Sequence, residues 1–108
     1  MKYENSNRHI RRFDKELILV QTELIKGRNK VVNEVGILCD VRGVYSNEFY
    51  SAAQHNMKPE RTFIIHDFEY SDETLLKFKD KYYKVIRVFF NDDNEVELTA
   101  ESTRGPDS

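Results

Sequence analysis

Histidine, cysteine and clustered carboxylates are the residues of this sequence that could bind a metal ion or act in catalysis. The three histidines, His9, His55 and His66, show neither H-x-x-x-H nor H-E-x-x-H spacing. Cys39 is the only cysteine, which excludes an internal disulfide and a Cys-rich zinc site. The acidic run from Asp92 to Glu95 lacks the longer pattern and central glycine of an EF-hand loop. We therefore expect no catalytic residue, no metal and no cofactor, and we predict that the protein is not an enzyme.

Two of these residues have a simpler structural interpretation. No histidine or basic helix start near Cys39 in the sequence would make it a thiolate, so we interpret it as a small buried hydrophobic residue. His66 falls within a predicted strand, and we interpret it as a strand-surface or interface residue. The run Asp92 to Glu95 is most simply a hairpin turn.

Length and charge limit the class of protein further. A chain of 108 residues fits one domain. Its 17 basic and 19 acidic residues give a net charge of −2, whereas domains built mainly to hold nucleic acid are usually clearly basic. No apolar run resembles a signal peptide or approaches the roughly 20 residues that span a bilayer. We expect synthesis in a reducing cytoplasm.

The hydrophobic pattern indicates a mostly β domain. Alternating and β-branched runs predict strands at residues 13–25, 34–45, 61–69, 74–79, 82–90 and 95–101, with a two-residue turn at Asp80-Lys81. This spacing predicts a small antiparallel β-barrel or sandwich of about five to six strands. We place the domain at residues 13–102, a flexible N-terminal arm at residues 1–12 and a loose C-terminal tail at residues 103–108.

One short α-helix is expected to interrupt the strands at residues 47–55. Ser46 can cap its free N–H groups, and Pro59 prevents its continuation. Phe49, Ala52 and Ala53 fall at i, i+3 and i+4, so we expect this apolar face to pack against the barrel.

The segment from Lys26 to Asn33 is predicted to be a protruding loop between two long strands. It contains turn-forming residues and three cations, together with two adjacent valines. The residues that carry this prediction are Lys26, Gly27, Arg28, Asn29, Lys30, Val31 and Val32.

Aromatic residues are numerous for one small core. Six tyrosines and seven phenylalanines either fill the core and hairpin faces or form protein–protein contacts, where aromatics are enriched. Both interpretations remain open, and the candidate interface aromatics are Tyr45, Tyr50, Phe68, Tyr70 and Tyr82.

The order of several short motifs resembles the head-closure (head–tail connector) proteins of long-tailed phages. Ser46 to Ala53 is similar to the family's Ser-x-Glu-Phe/Tyr-Tyr-x-Ala helix, and Lys58 to Ile65 to its Lys-Pro-Glu link and Phe-x-Ile strand. Lys79 to Arg87 resembles the Gly-Lys-x-Tyr-x-Ile hairpin, with Asp80 where many members have glycine. Asn94 to Thr99 is similar to the closing Ile/Val-Glu-Leu strand.

This resemblance implies a structural virion protein of the phage neck. Such a protein would form a homo-oligomeric ring of about twelve copies below the portal and its adaptor protein. The ring would act as a stopper that closes the DNA exit channel after packaging, with the DNA end in its lumen, and would offer a docking surface to a tail-terminator or tail-completion protein. The basic loop from Lys26 to Val32 is the candidate channel loop.

Two alternatives remain open from the sequence. A related neck or tail-completion subunit has a similar size and β content. A small nucleic-acid-binding β-barrel would use Lys26, Arg28 and Lys30 together with surface aromatics.

Overall fold

A computed structural model describes residues 10–43 and 59–106. The described residues form six strands: β1 Lys15–Ile25, β2 Arg28–Arg42, β3 Arg61–His66, β4 Leu75–Phe78, β5 Lys81–Phe90 and β6 Glu95–Ser102. These strands form one closed antiparallel barrel in the order β1-β2-β3-β6-β5-β4. A 3₁₀ turn, Asp67–Glu69, follows β3. The prediction of a small, mainly β barrel is confirmed.

Alternate residues of every strand fill the barrel interior. Phe63 lies at the centre of this core, fully buried, with its ring edge-on to Phe78 at 5.2 Å and to Tyr83 at 5.4 Å between centroids. Such T-shaped arrangements suit the quadrupoles of aromatic rings. The other buried core residues are Leu17, Leu19, Ile37, Cys39, Ile65, Leu76, Val96, Leu98 and Ala100.

Strand β3 is buried on both of its faces, as its two apolar faces predict. Phe63 and Ile65 point into the core, while Thr62 and Ile64 point the other way and are also fully buried. The Thr62 and Thr99 hydroxyls, 3.2 Å apart, form a hydrogen bond across β3 and β6. The predicted strand ends sooner than expected, at His66, because the chain turns into the 3₁₀ segment there.

The prediction that Lys26 to Asn33 forms a loop is wrong. Only Lys26 and Gly27 form the turn, with positive φ angles of 53° and 79°, and Arg28 pairs directly with Ile25. Two positive φ values in a two-residue connection define a type I′ turn, whose twist matches that of the flanking strands. Residues 28–33 therefore belong to β2, because each of them but Val32 has a partner in β1.

The turn between β4 and β5 is one residue earlier than predicted. Lys79 and Asp80 form it with φ angles of 51° and 65°, and Phe78 pairs with Lys81. It is again a type I′ turn, but here no glycine relieves the positive φ. An L-residue with a Cβ is disfavoured in this region, although Asp tolerates it better than most.

Replacing Lys79 and Asp80 together by Asn and Gly should raise the free energy of unfolding by about 0.5 to 1 kcal/mol. The substitution gives the turn the residue pair that this turn type favours. Urea denaturation of the two proteins measures the change. Asp80→Ala is the matched control, because it keeps a Cβ at the strained position and should bring no gain. An unchanged midpoint for the Asn-Gly variant would show that the turn is not strained.

The described chain ends are attached to the barrel rather than free. Arg11, which belongs to the predicted N-terminal arm at residues 1–12, forms ion pairs with Glu95 and Glu97. At the other end, the Thr103 N–H donates to the Tyr82 carbonyl and Gly105 lies against the Tyr82 ring. The first contact involves the predicted N-terminal arm and the others the predicted C-terminal tail, so the packed unit extends beyond residues 13–102.

The predicted α-helix at residues 47–55 lies outside the described residues. The same holds for its cap Ser46 and its packing residues Phe49, Ala52 and Ala53.

Candidate interaction surfaces

A two-stranded arm extends from the barrel. Val20 is the last residue of β1 that pairs with β4, and β2 pairs with β3 only from Asp40 onward. From Gln21 to Glu34 the two strands therefore pair only with each other among the described residues, and we call this segment the arm. Five residues beyond Val20 at about 3.3 Å each give the arm a reach of roughly 17 Å.

The two faces of the arm differ in chemistry. Cross-strand partners share a face, so Leu24 lies with Val31, two positions along on the partner strand. The opposite face carries Ile25, Arg28 and Lys30. Leu24 is 71% exposed, and the other apolar side chains of the arm, Ile25, Val31 and Val32, are exposed as well. The arm thus presents apolar and cationic side chains that make no core contact.

The base of the arm is fixed to the barrel. A β-bulge between Gln21 and Thr22 marks the point where the arm begins. The Gln21 side chain donates to the buried Glu73 carboxylate at 3.2 Å and accepts from Asn33 at 3.3 Å. Glu73 also accepts the Ser71 N–H at 2.8 Å. Bulges bend a strand, so this site sets the direction in which the arm leaves the barrel.

A second surface is the open edge of β5. β4 pairs with β5 no further than Lys84, and the Val85 N–H still donates to the Thr74 carbonyl at 2.9 Å. Beyond that point lies the segment from Ile86 to Phe90, in which a register shift at Ile86 precedes the pairing of residues 87–90 with β6. No strand of the described residues pairs with the other side of this segment. We call this segment the open edge.

Three consecutive apolar side chains of the open edge are exposed to solvent. Phe89 is 50% and Phe90 is 56% exposed, and Val88 is exposed to a similar degree. The Phe90 ring lies 6.5 Å from the Tyr70 ring between centroids, in a tilted orientation. The open edge continues into the exposed acidic turn at Asp92 and Asp93. An edge strand with exposed apolar side chains is a template for pairing with another chain.

A charged network covers the outer face of β6. Arg42 Nη2 donates to Glu97 Oε1 at 2.6 Å, and Arg11 Nε donates to Glu95 Oε1 at 3.2 Å. Asn91 Nδ2 donates to both carboxylates, at 2.9 Å and 3.2 Å. Because the two carboxylates are shared among three donors in a partly buried site, the network stabilises the structure and needs no ligand to complete it.

His66 and Phe68 form a stacked aromatic group next to this network. The His66 ring lies 4.2 Å from the Phe13 ring and 5.6 Å from the Phe68 ring, in stacked orientations. Its Nδ1 lies 3.6 Å from Glu69 Oε1. Phe68 is 81% exposed, so it is accessible as an interface residue; His66 is a partly exposed residue at the end of its strand.

Two of the other candidate aromatics, Tyr70 and Tyr82, are partly buried. Tyr70 packs against the core and donates its hydroxyl proton to the Glu73 carbonyl at 2.8 Å. Burial, followed by the nearby Asp72 and Glu73 carboxylates, raises the pKa of Tyr70 to about 12. Tyr82 is half-buried between Gly105 and the Lys77 ammonium. Tyr45 and Tyr50 lie outside the described residues.

Cys39 lies in the core, as interpreted from the sequence. It is fully buried, and burial followed by the adjacent Asp40 carboxylate raises the pKa of its thiol to about 12. A thiol that keeps its proton at neutral pH is a weak nucleophile, so Cys39 serves packing.

Within residues 10–43 and 59–106, no three His, Cys, Asp or Glu side chains come together in a way that could hold a metal ion. No helix in this part of the chain is both long and apolar enough to cross a membrane.

Neither a scan against models of known protein families nor a search of curated proteins finds a match to this chain. The interpretation of the two surfaces therefore rests on their geometry and chemistry.

Proposed function

We propose that this chain is a structural subunit of a phage neck that assembles as a ring below the portal and its adaptor. The ring closes the DNA exit channel after packaging and offers a docking surface to the tail. The observation that carries the proposal is the arm, a two-stranded projection with exposed apolar and cationic side chains on a small closed barrel.

The arm supports an assembly role because an isolated subunit leaves its apolar side chains exposed to water. Burial of these side chains against a second chain would contribute about 25 cal/mol of binding free energy for each Å² of apolar surface covered. The open edge on β5 is a second surface, of different shape, that the described residues of the same subunit leave uncovered.

Two different surfaces that meet each other form a heterologous contact, and heterologous contacts generate closed rings when the rotation between copies closes. A ring around a DNA channel also gives a role to the cations of the arm, Lys26, Arg28 and Lys30, which can lie near phosphate groups. The proposed role is structural and requires no catalytic step. A related neck or tail-completion subunit would use the same two surfaces.

A small nucleic-acid-binding barrel is the alternative of a different class. The exposed Phe68 ring and the three cations of the arm favour it, since such barrels combine cations with stacking aromatics. Against it, the arm also carries Glu23 and Glu34, and the two surfaces are not one continuous basic groove.

Ring assembly on a purified portal–adaptor complex of the phage that carries this chain tests the proposal. We expect electron microscopy to show a ring of this chain on the tail-facing side of the complex, and native mass spectrometry to give about as many copies as the adaptor ring has. Binding to short DNA fragments at low and high salt is measured in parallel. Failure to bind the complex, together with salt-sensitive DNA binding, would support the nucleic-acid-binding alternative instead.

A further inference from the structure

We infer that an acidic hollow at the base of the arm binds the lysine-bearing tip of the β4–β5 hairpin of a second copy. The hollow is a concave surface of about 300 Å³ between the base of the arm and residues 71–74. The hairpin tip is the turn at Lys79-Asp80 with its flanking lysines. The inference rests on the proposed function, because it names a contact through which neighbouring ring subunits meet.

The hollow is negatively charged. Glu23, Asp72 and Glu73 line it, and none of its other lining residues is cationic. Glu73 is 6% exposed, and its carboxylate accepts hydrogen bonds from the Gln21 side chain and the Ser71 N–H, which are both neutral donors. No cation of the described chain forms an ion pair with Glu73. Because buried carboxylates are normally paired with a positive charge, the hollow has the chemistry of a site for a cationic side chain.

The hairpin tip has the opposite charge. Lys77, Lys79 and Lys81 alternate along it, and Asp80 is its one acidic residue. Lys79 is exposed and forms no ion pair within the described part of the chain. A two-residue turn is narrow, so its side chains can enter a concave site that a flat sheet surface could not. Complementary charge of this kind favours encounter of the two surfaces and fixes their orientation.

The position of the two surfaces on one subunit requires a second copy. Thr74 lines the hollow and directly precedes β4, whereas Lys79 directly follows the last residue of β4. The four residues of β4, at about 3.3 Å each, separate the hollow from the tip by roughly 13 Å. A copy therefore cannot place its hairpin tip in its own hollow, but it can offer the tip to one neighbour and the hollow to another. Such a contact is heterologous and continues from copy to copy, as a ring requires.

The lining of the hollow favours the hairpin tip over the tip of the arm. Apart from Val20 and Val32, the lining side chains are polar. The arm tip is also cationic, but the exposed apolar side chains of Leu24 and Ile25 next to its turn would lie against polar walls. A lysine of the hairpin tip would instead place its ammonium group at the carboxylates and its methylene stem against the exposed Val32.

Cysteine cross-linking between two differently tagged copies tests the inference. Asp80→Cys places a thiol at the hairpin tip and keeps Lys79, and Ser71→Cys places one at the hollow; both positions are exposed. We expect a short bis-maleimide to join these two variants into a heterodimer in the assembled ring. Lys26→Cys is the matched control for the tip, because it places the thiol in the other type I′ turn, at the end of the arm. Cys39 is buried and stays unmodified.

Charge reversal provides an independent readout on the intact chain. Lys79→Glu and Asp72→Lys should each weaken association between copies about tenfold, because like charges would then meet. An equal mixture of the two variants should associate as the wild type does, since every contact between unlike variants again pairs opposite charges. Asp72→Lys suits the backbone, because the φ of Asp72, 62°, is close to the values of 53° and 51° at Lys26 and Lys79. Arg12→Glu, which reverses an exposed charge away from both surfaces, is the control and should change nothing.

The outcomes separate this inference from the proposed function. A ring on the portal–adaptor complex without the Asp80–Ser71 cross-link would overturn the hairpin contact and leave the ring in place. A Lys26–Ser71 cross-link in its place would show that the arm tip occupies the hollow, and would overturn the contact as well. So would weakening by Asp72→Lys without any effect of Lys79→Glu, since the cation would then come from another partner. If no ring forms on that complex while the heterodimer still cross-links in solution, the docking contact holds and the neck function fails.

Discussion

Phage heads that carry a shortened arm should assemble, package DNA and then lose most of it before a tail attaches. The expected loss is large because the arm is the only part of the described chain that extends far beyond the barrel. In the proposed ring, the arms would project into the channel and narrow it, with Arg28 and Lys30 close to the DNA. A ring in which every arm is shortened would therefore leave a wider channel.

The shortening can be designed so that the barrel is left intact. Glu23 pairs with Lys30, two pairs below the turn, with the same pairing type as the closing pair Ile25 and Arg28. Replacing residues 24–29 by Asn-Gly therefore connects Glu23 to Lys30 through a type I′ turn and keeps the register. The bulge and the Gln21–Glu73 hydrogen bond stay in place, and circular dichroism and thermal unfolding should remain close to wild type.

A same-length control separates the role of the arm from that of the turn sequence. Lys26→Asn keeps the turn type and the full reach, and heads carrying it should retain their DNA. Nuclease protection of packaged DNA and plaque counts measure the outcome for both variants. If the shortened arm retains DNA at the wild-type level, another part of the ring closes the channel, and the assignment of the channel segment to residues 26–32 would have to be withdrawn.

The sequence predicts the barrel well because its strands alternate. In β6, Val96, Leu98 and Ala100 point inward as the period of two requires, and the double-faced burial of β3 follows from its unbroken apolar run. Turns are predicted less accurately. A type I′ turn without glycine, such as Lys79-Asp80, has no compositional mark that fixes its position to the residue.

The arm and the open edge depend on pairing between distant segments, which local pattern does not report. Asn29, Lys30 and Asn33 are turn-forming or polar by type, yet pairing with β1 holds them extended. Phe89 and Phe90 belong to a well-patterned strand, and their exposure depends on how far β4 extends. The sequence contained one indication of the open edge. The predicted strand at residues 82–90 is longer than its hairpin partner at residues 74–79, so that partner cannot pair with the C-terminal end of the longer strand.

Replacing Phe63 by Ala should destabilise the fold by about 3 to 5 kcal/mol, a large share of the 5 to 15 kcal/mol typical of such domains. Phe63 is fully buried and contacts both Phe78 and Tyr83, so its removal leaves a cavity that three neighbouring strands must either enclose or collapse into. Urea denaturation followed by circular dichroism measures the loss. Phe63→Leu, which fills most of the space, provides a folded variant should the alanine protein not fold, and its cost should be smaller.

Phe68→Ala is the matched control, because it removes the same side chain from an exposed position. The Phe68 ring stacks on His66 and is 81% exposed, so its removal should cost within about 0.5 kcal/mol. The contrast between these two phenylalanines tests the placement of the core directly. Equal losses at both positions would mean that the barrel interior is not centred on Phe63. If Phe68→Ala folds normally and yet weakens assembly on the portal–adaptor complex, its exposed ring belongs to an interface, as proposed for this residue from its type.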